Sequence, residues 1–356
     1  MDAMTRCGAI PPHLLEHLAQ SSNEHRARRA QATLQADQRH RTARIDIPVP
    51  TQPDDEDEAE AGEQPQAGNP NRTIHDAAHS EHLPGKEVRT EGAPETDDPA
   101  VTRAYDHLGA TYRLFSEVYG RDSLDGKGLP LIASVHYGTD YANAFWDGRQ
   151  MAFGDGDGDL FVCFTSALDV IAHELTHGVV ERTARLAYFD QAGALNEHLA
   201  DVFGALAEQY AAGHTADKAT WLIGDGLFTD AVEGAALRSM KAPGTAYDDD
   251  VLGKDPQPAH MDDYVETFMD NGGVHINSGI PNRAFYLAAT EIGGNAWETA
   301  GKVWYEALTS GEVKRDATFE QFAAATSGAA VRLFGDGSAQ VKAVNAAWEG
   351  VGVPTP

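Results

Sequence analysis

Three features of the sequence predict an α+β fold of two lobes with a cleft between them. Short β-type runs separated by turns occupy the N-terminal half, while apolar residues at three-to-four spacing run through most of the chain after His177. A stretch rich in metal-binding side chains, Val170 to Val179, lies at their junction, and ligand clefts favour such junctions. With 356 residues the chain can hold two ordinary domains, or one catalytic unit and an additional segment. A formal net charge of −28 argues against nucleic acid or an anionic membrane as partner, since both reward positive charge. The two cysteines, Cys7 and Cys163, are far apart and predict no disulfide framework. No apolar run of signal-peptide length opens the chain and none elsewhere could span a bilayer, so the expected location is the cytoplasm, or outside the cell by a route without a Sec leader.

Residues 1–47 read as a small separate segment. Leu14, Leu15 and Leu18 make an apolar stripe, and Glu24 to Arg44, rich in Ala, Gln and Arg, favours a helix with a basic face. Residues 48–70 follow as a linker: Pro48, Pro50 and Pro53 precede the acidic run Asp54 to Glu58, which like-charge repulsion keeps extended. Exposed linkers are where proteases cut. Residues 71–187 form the mixed lobe, with β-type starts at Asn71 to Ala77 and Leu83 to Arg89, an amphipathic helix over Pro99 to Tyr119, and a strand over Leu131 to Tyr137. The Asp-Gly repeat of Gly154 to Asp159 reads as a tight turn, because an EF-hand loop would need a bidentate glutamate at its far end. Residues 188–356 form the helical lobe, with helices expected over Asn196 to Tyr210, Ile280 to Ile292, Trp297 to Leu308, Thr318 to Phe334 and Gln340 to Trp348.

The junction carries the chemistry. In His173-Glu174-Leu175-Thr176-His177 the histidines are four apart, so on a helix both rings turn to one side and can share a cation, with Glu174 beside them. Two imidazoles suit zinc, and a catalytic zinc takes a third protein ligand while its fourth position stays open for water. Twenty residues on, Glu197 and Asp201 are again four apart; Glu197 can supply the third ligand, and Asp201 can accept the second N–H of a ligand histidine. Four metal-suited residues at these spacings outweigh the alternative of core histidines and a solvated acidic face.

Together with Asp270-Asn271-Gly272-Gly273-Val274-His275 and the run through Asn282, these motifs resemble the thermolysin-like zinc metallopeptidase family, peptidase family M4, over roughly residues 70–353. The resemblance implies the thermolysin-like two-lobed fold and the family's own ligand set, His173, His177 and Glu197 on zinc with Asp201 behind. Glu174 would then be the general base that takes a proton from water and returns it to the leaving amine. Tyr188 and His275 match the family's donors to the tetrahedral oxyanion, and Asp270 its carboxylate that orients the histidine. Asn143 and Ala144 match the edge strand that holds substrate in extended form; without the resemblance they read as a turn asparagine beside a packed aromatic pair. Arg238 matches an arginine that binds a substrate carbonyl, though alone it reads as a surface residue. An apolar pocket there implies cleavage before bulky hydrophobic residues.

Asp169, Glu208 and Asp225 stand where the family has calcium ligands, but Thr220 and Leu222 replace two carboxylates, so one calcium ion or none is expected. Cys7 to Leu15, with Ile10-Pro11-Pro12, resembles the short propeptide of the protealysin-like branch, which implies a zymogen whose partners are peptide or protein substrates, its own propeptide and a candidate proteinaceous inhibitor. Cys7 could offer a thiolate to zinc, or be a small residue packed near the cleft; the second is the ordinary habit of free cysteine. The competing function is a non-catalytic zinc protein of the same fold that binds peptides or partners. Glu174, His275 and Tyr188 together favour the enzyme, since a binding module has no use for a base and oxyanion donors at once.

Overall fold

The computed structural model describes residues 8–43 and 68–355. Cys7, with the zinc-blocking thiolate considered for it, and the acidic run Asp54 to Glu58 lie outside the described residues. The N-terminal segment forms α1 (Pro12–Ala19) and α2 (Glu24–Ala43). The mixed lobe follows with β1 (Arg72–Asp76), β2 (Lys86–Thr90), α3 (Pro99–Arg113), β3 (Leu131–Val135), β4 (Ala144–Trp146) and β5 (Met151–Phe153). Its five-stranded sheet has the order β2-β1-β3-β5-β4. The inner pairs β1/β3 and β3/β5 are parallel, the outer pairs β1/β2 and β4/β5 antiparallel. Strand β4 is therefore the edge of this sheet, and residues Gly8 and Ala9 of the N-terminal segment pair along its outer side.

Two long helices cross beneath that edge, α4 (Leu168–Glu181) and α5 (Asp190–Ala212). They approach closely at Gly204, where a Cβ would lie 2.6 Å from the carbonyl oxygen of Asp169. Gly213, at φ 66°, ends α5 in the left-handed conformation usual for a helix stop. Short pairs β6 (Leu222–Ile223) with β7 (Arg238–Ser239) and β8 (Asp248–Asp249) with β9 (Gly253–Lys254) lead to α6 (Asp270–Asn277), α7 (Gly279–Ile292), α8 (Ala300–Thr309), α9 (Phe319–Phe334) and α10 (Ala339–Glu349). Thr318 starts α9 with a capping box to Gln321. Trp304, Phe285 and Trp348 are fully buried within the helical lobe.

Helix periodicity locates these elements but misplaces two boundaries. The helix expected over Pro99 to Tyr119 has the expected extent, with its last part, Leu114–Val118, wound as a π-helix. The helix expected from Asn196 begins six residues earlier, at Asp190, because Gly193, without a Cβ, lets the backbone pass Tyr188 and Val274 where a side chain would clash at 2.4 Å. The helix expected over Trp297 to Leu308 is broken at Thr299 (φ −118°, ψ −88°) into a 3-10 turn and α8. Gly154 to Asp159 is a turn as expected, with Asp157 Oδ1 accepting from the N–H groups of Asp159, Leu160 and Phe161.

The N-terminal segment packs against the rest of the chain. Leu14, Leu15 and Leu18 are buried, each such burial contributing about 2 kcal/mol. The basic face of α2 meets acids of the mixed lobe: Arg26 bonds Asp159 at 2.7 Å, Arg29 bonds Asp140 at 3.2 Å and Arg39 bonds Glu81 at 2.7 Å. Among the described residues no helix is long and apolar enough to cross a membrane.

Candidate active site

Helical spacing does in α4 and α5 what it promises. His173 and His177 face each other one turn apart, their Nε2 atoms 3.2 Å from one another, and Glu197 of α5 stands 3.5 Å from the first and 3.4 Å from the second. The other ring nitrogens are held by acceptors: His173 Nδ1 donates to Asp201 at 2.8 Å and His177 Nδ1 to the Asn196 side-chain oxygen at 2.9 Å. Both Nε2 atoms thus carry lone pairs aimed at one point. Glu197 Oε2, wholly buried, adds a third lone pair there and has no hydrogen-bond partner among the described residues. Bare nitrogens and a carboxylate converge only around positive charge.

Without a metal a proton fills that demand: burial lowers the His173 pKa, but its bonds to Asp201 and Glu197 outweigh burial and raise it to about 10. With one, the donor set is that of a tetrahedral zinc with an open position. Among the described residues these are the only three whose metal-binding atoms lie within 4.8 Å of one another.

Glu174 lies beside this cluster. Its Oε2 accepts from the Trp146 N–H of β4 at 3.0 Å, and its Oε1 is buried with no hydrogen-bond partner among the described residues. Burial, reinforced by the nearby Glu197 charge, pushes its carboxyl up to about 8, and a bound cation would bring it down again. One oxygen is positioned and the other is free to take a proton.

Across the cluster, Tyr188 donates its hydroxyl to Glu197 Oε1, and His275 Nε2 lies 3.4 Å from both Tyr188 and Glu197. Asp270 fixes His275 twice, accepting Nδ1–H at 2.6 Å and the backbone N–H at 2.9 Å. This double grip needs a tight reversal of the chain. Asp270, Asn271, Gly272 and Gly273 all have positive φ (51°, 51°, 87° and 74°), a left-handed turn opening α6. The two glycines adopt it without strain and the aspartate and asparagine at modest cost.

Asp201 joins the metal cluster to the helical lobe. Beyond His173 it accepts Arg238 Nε at 2.9 Å and Nη2 at 2.8 Å, and Asn282 Nδ2 at 2.8 Å. Burial alone would raise its pKa, but Arg238 and His173 hold it well below the usual carboxylate range. Arg238 is buried, so the reading of it as a surface residue is wrong: charge balance with Asp201 holds it inside. Sequence reasoning gave no role to Asn282 or to the Asp201–Arg238 pair, because nothing local links positions 37 apart.

The residues expected to hold substrate hold the N-terminal segment. Ala9 N–H donates to the Ala144 carbonyl at 3.0 Å, Ile10 N–H to Asn143 Oδ1 at 2.9 Å, and Arg238 Nη1 to the Ala9 carbonyl at 3.4 Å. Gly8 bridges Phe145 in antiparallel fashion. A Cβ on Gly8 would meet Asn143 Nδ2 at 2.3 Å. Asn143 Nδ2 in turn donates to Asp37 of α2 at 3.0 Å, and Asp37 also accepts Tyr141 at 2.5 Å. Asp37 carried no signal in the sequence: it is one of two acids in a basic helix, and only the packed structure brings it to Asn143.

Asp169, Glu208 and Asp225 are near enough to influence one another electrostatically but do not form a metal-binding group of the kind seen at the histidines. Both Asp169 oxygens accept backbone N–H groups, from Val170 at 2.8 Å and Gly224 at 2.6 Å. Burial pushes Asp169 up to about 6 and Glu208 up to about 7.

Comparison with known proteins agrees with this geometry. Residues 62–181 match the model of the thermolysin metallopeptidase catalytic domain, and residues 184–353 that of the thermolysin metallopeptidase alpha-helical domain. An extracellular metalloprotease of Pectobacterium carotovorum subsp. carotovorum is 50% identical over 98% of this chain and 96% of its own length. The protease PrtS of a Photorhabdus species is 46% identical over 97% of this chain and 92% of its own. Among solved structures, the precursor of protealysin, a metalloproteinase from Serratia proteamaculans, superposes with a TM-score of 0.88 at 49% identity, covering 98% of this chain and 99% of that one. The chain belongs to the thermolysin family of metallopeptidases, in its protealysin-like branch, and is a metalloendopeptidase.

Proposed function

We propose that this protein is a zinc-dependent neutral endopeptidase made as a zymogen, with Glu174 as the general base. The observation that carries the reading is the pair of bare histidine nitrogens, 3.2 Å apart, beside a buried Glu197 oxygen that has no hydrogen-bond partner among the described residues. His173, His177 and Glu197 would hold zinc, and Asp201 and Asn196 would keep both imidazoles in the ligating tautomer. Zinc, when bound, supplies a Lewis acid that polarises water and the peptide carbonyl. Glu174 Oε1 takes the proton from the attacking water and later delivers it to the leaving amine. Tyr188 and His275 donate to the oxyanion, with Asp270 fixing the direction of the His275 donor. At Asp169, Glu208 and Asp225 we propose at most one calcium ion.

Substrate would pair with β4 through Ala144 and Asn143 and present a carbonyl to Arg238. In support, residues Ala9 and Ile10 already make these bonds, and Ile10, 1% exposed, buries an aliphatic side chain beside them. We therefore assign residues 1–47 as an inhibitory propeptide, residues 48–70 as the cleaved linker, and a bulky hydrophobic residue as the preferred one after the scissile bond. A proteinaceous inhibitor would compete for the same edge. The relatives described as extracellular suggest action outside the cell.

Peptide cleavage by wild type and Glu174→Gln, before and after removal of residues 1 to about 70 and with zinc content measured in parallel, tests the reading. Activity is expected only in the processed wild type, with zinc in both. Zinc without cleavage in any form would leave a binding protein of the same fold.

A further inference from the structure

A cavity of about 710 Å³ is lined by the segments that adjoin Tyr188 and the turn at Asp270. Phe189, Tyr264, Val265 and Phe268 supply its apolar lining, and Asp190, Glu266 and Asp316 its acids. Phe268 is 99% exposed, Phe189 51% and the adjacent Met269 60%; these are three of the five exposed large hydrophobic residues among those described. Such clustering marks a surface that something covers. The acids are gathered too: Asp190 and Glu266 line the same cavity as Tyr264, and burial together with their charges raises the pKa of its phenol.

The cavity shares its wall with the catalytic turn. Phe189 follows Tyr188 directly, and Phe268 and Met269 directly precede Asp270. Gly272 of that turn packs on Asp190 so closely that a Cβ there would lie 2.1 Å from Asp190 Oδ1. Met269 also closes the turn, its carbonyl accepting from Gly272 and Gly273 at 3.1 and 2.9 Å.

Charge and continuity choose the occupant. A second copy of a chain with net charge −28 would bring like charges together on an acidic face. The chain's own acidic run Asp54 to Glu58 is mismatched for the same reason. An apolar side chain flanked by lysine or arginine matches both lining and rim. We propose that this cavity is an accessory docking site for the substrate polypeptide, taking an aromatic or large aliphatic residue flanked by basic residues outside the stretch bound in the cleft. The proposal rests on the endopeptidase reading and adds a substrate class to it. Docking there raises the local concentration of the scissile segment at the cleft, so it lowers KM and leaves kcat unchanged.

The test uses the processed enzyme and one cleavable core peptide, made alone, with a Lys-Phe-Lys block on a flexible spacer at either end, and with Glu-Phe-Glu blocks instead. For wild type, with cleavage read at the core bond alone, one Lys-Phe-Lys peptide is expected to exceed the core in kcat/KM about tenfold, through KM, and the Glu-Phe-Glu peptides to show no gain. Phe268→Ser, at a position fully in solvent, should cleave the core at the wild-type rate and lose the gain, and Glu266→Lys should lose it as well. No gain from either Lys-Phe-Lys peptide, or a gain that survives Phe268→Ser, overturns the proposal. So does a fall in sedimentation mass on Phe268→Ser, which would make the patch an interface between copies. If processed wild type fails to cleave even the core, the endopeptidase reading has failed separately. Binding of labelled Lys-Phe-Lys peptide to Glu174→Gln protein, with and without Phe268→Ser, then still decides whether the cavity docks it.

Discussion

Two groups of acids lie along helix α5, and they behave in opposite ways. In the first, Glu197 and Asp201 are surrounded by positive or donating partners: His173, His177 and His275 around Glu197, and His173, Arg238 and Asn282 around Asp201. Despite burial both carboxyls are held well below their usual range. In the second, Asp169 is buried on backbone N–H groups, Glu208 half-buried and Asp225 exposed; burial pushes Asp169 upward, and burial with repulsion from Asp169 and Asp225 pushes Glu208 upward. The residue types are nearly the same. What differs is whether charge is balanced, and a buried charge that is not balanced titrates instead.

Glu174 is the exception inside the balanced group, since it too is pushed up, to about 8. Its placement distinguishes it from the ligands: one oxygen accepts the Trp146 N–H, and neither is among the three metal-binding groups that converge. Glu174→Gln is therefore expected to keep the Trp146 contact and the zinc, and to lose about 10³-fold or more in kcat. Loss of zinc in this variant would place Glu174 among the ligands and break the distinction. Asp201→Asn attacks the balance itself. It should weaken zinc binding about 10- to 100-fold, measured against a competing chelator. It should also lower the unfolding free energy by about 3 kcal/mol, because Arg238 is left buried without its counter-charge. Wild-type stability in the double variant Asp201→Asn, Arg238→Met, with zinc binding still weakened, would separate the two effects.

The first group was legible in the sequence and its supports were not, for a physical reason. His173, His177, Glu197 and Asp201 acquire their geometry from helix pitch within two adjacent helices, and pitch can be read from spacing. Arg238, Asn282 and Asp37 acquire theirs from chain segments brought together by packing, which spacing does not record. The same holds for boundaries. Periodicity found α5, but its start at Asp190 depends on Gly193 passing beneath Val274, a contact between residues 81 positions apart in the chain. The resemblance to a family supplied Arg238; the structure supplied the reason it is buried.

The crowded acids should appear as a pH dependence of stability. Glu208 ionises at about 7 when folded and near 4.5 in an ordinary carboxyl, so the unfolded chain releases its proton first. The folded state is therefore undisturbed by this group below about pH 4.5, loses stability progressively from there, and carries the whole penalty above about pH 7. Glu208→Gln should flatten that slope and stabilise the protein by about 2 kcal/mol at pH 8. Denaturant unfolding at pH 5 and pH 8 measures it. An equal gain at both values would mean that Glu208 acts through packing and not through its charge.

Calcium sharpens the comparison at its smallest effect. If the second group were a poised cation site, a divalent ion would neutralise the crowding and the penalty at pH 8 would vanish on adding it. The geometry opposes this: both Asp169 oxygens are occupied by the N–H groups of Val170 and Gly224, and the three carboxyls do not converge as the zinc ligands do. A hard cation needs six or more oxygens, and Thr220 and Leu222 contribute no carboxylate. Millimolar calcium at pH 8 is therefore expected to move the unfolding midpoint of zinc-loaded wild type by less than about 2 °C, against a stabilisation from Glu208→Gln of several degrees. A calcium shift as large as that of Glu208→Gln, and absent from that variant, would show that the acids balance each other through an ion. The contrast between the two groups would then lie in the kind of cation that each one holds.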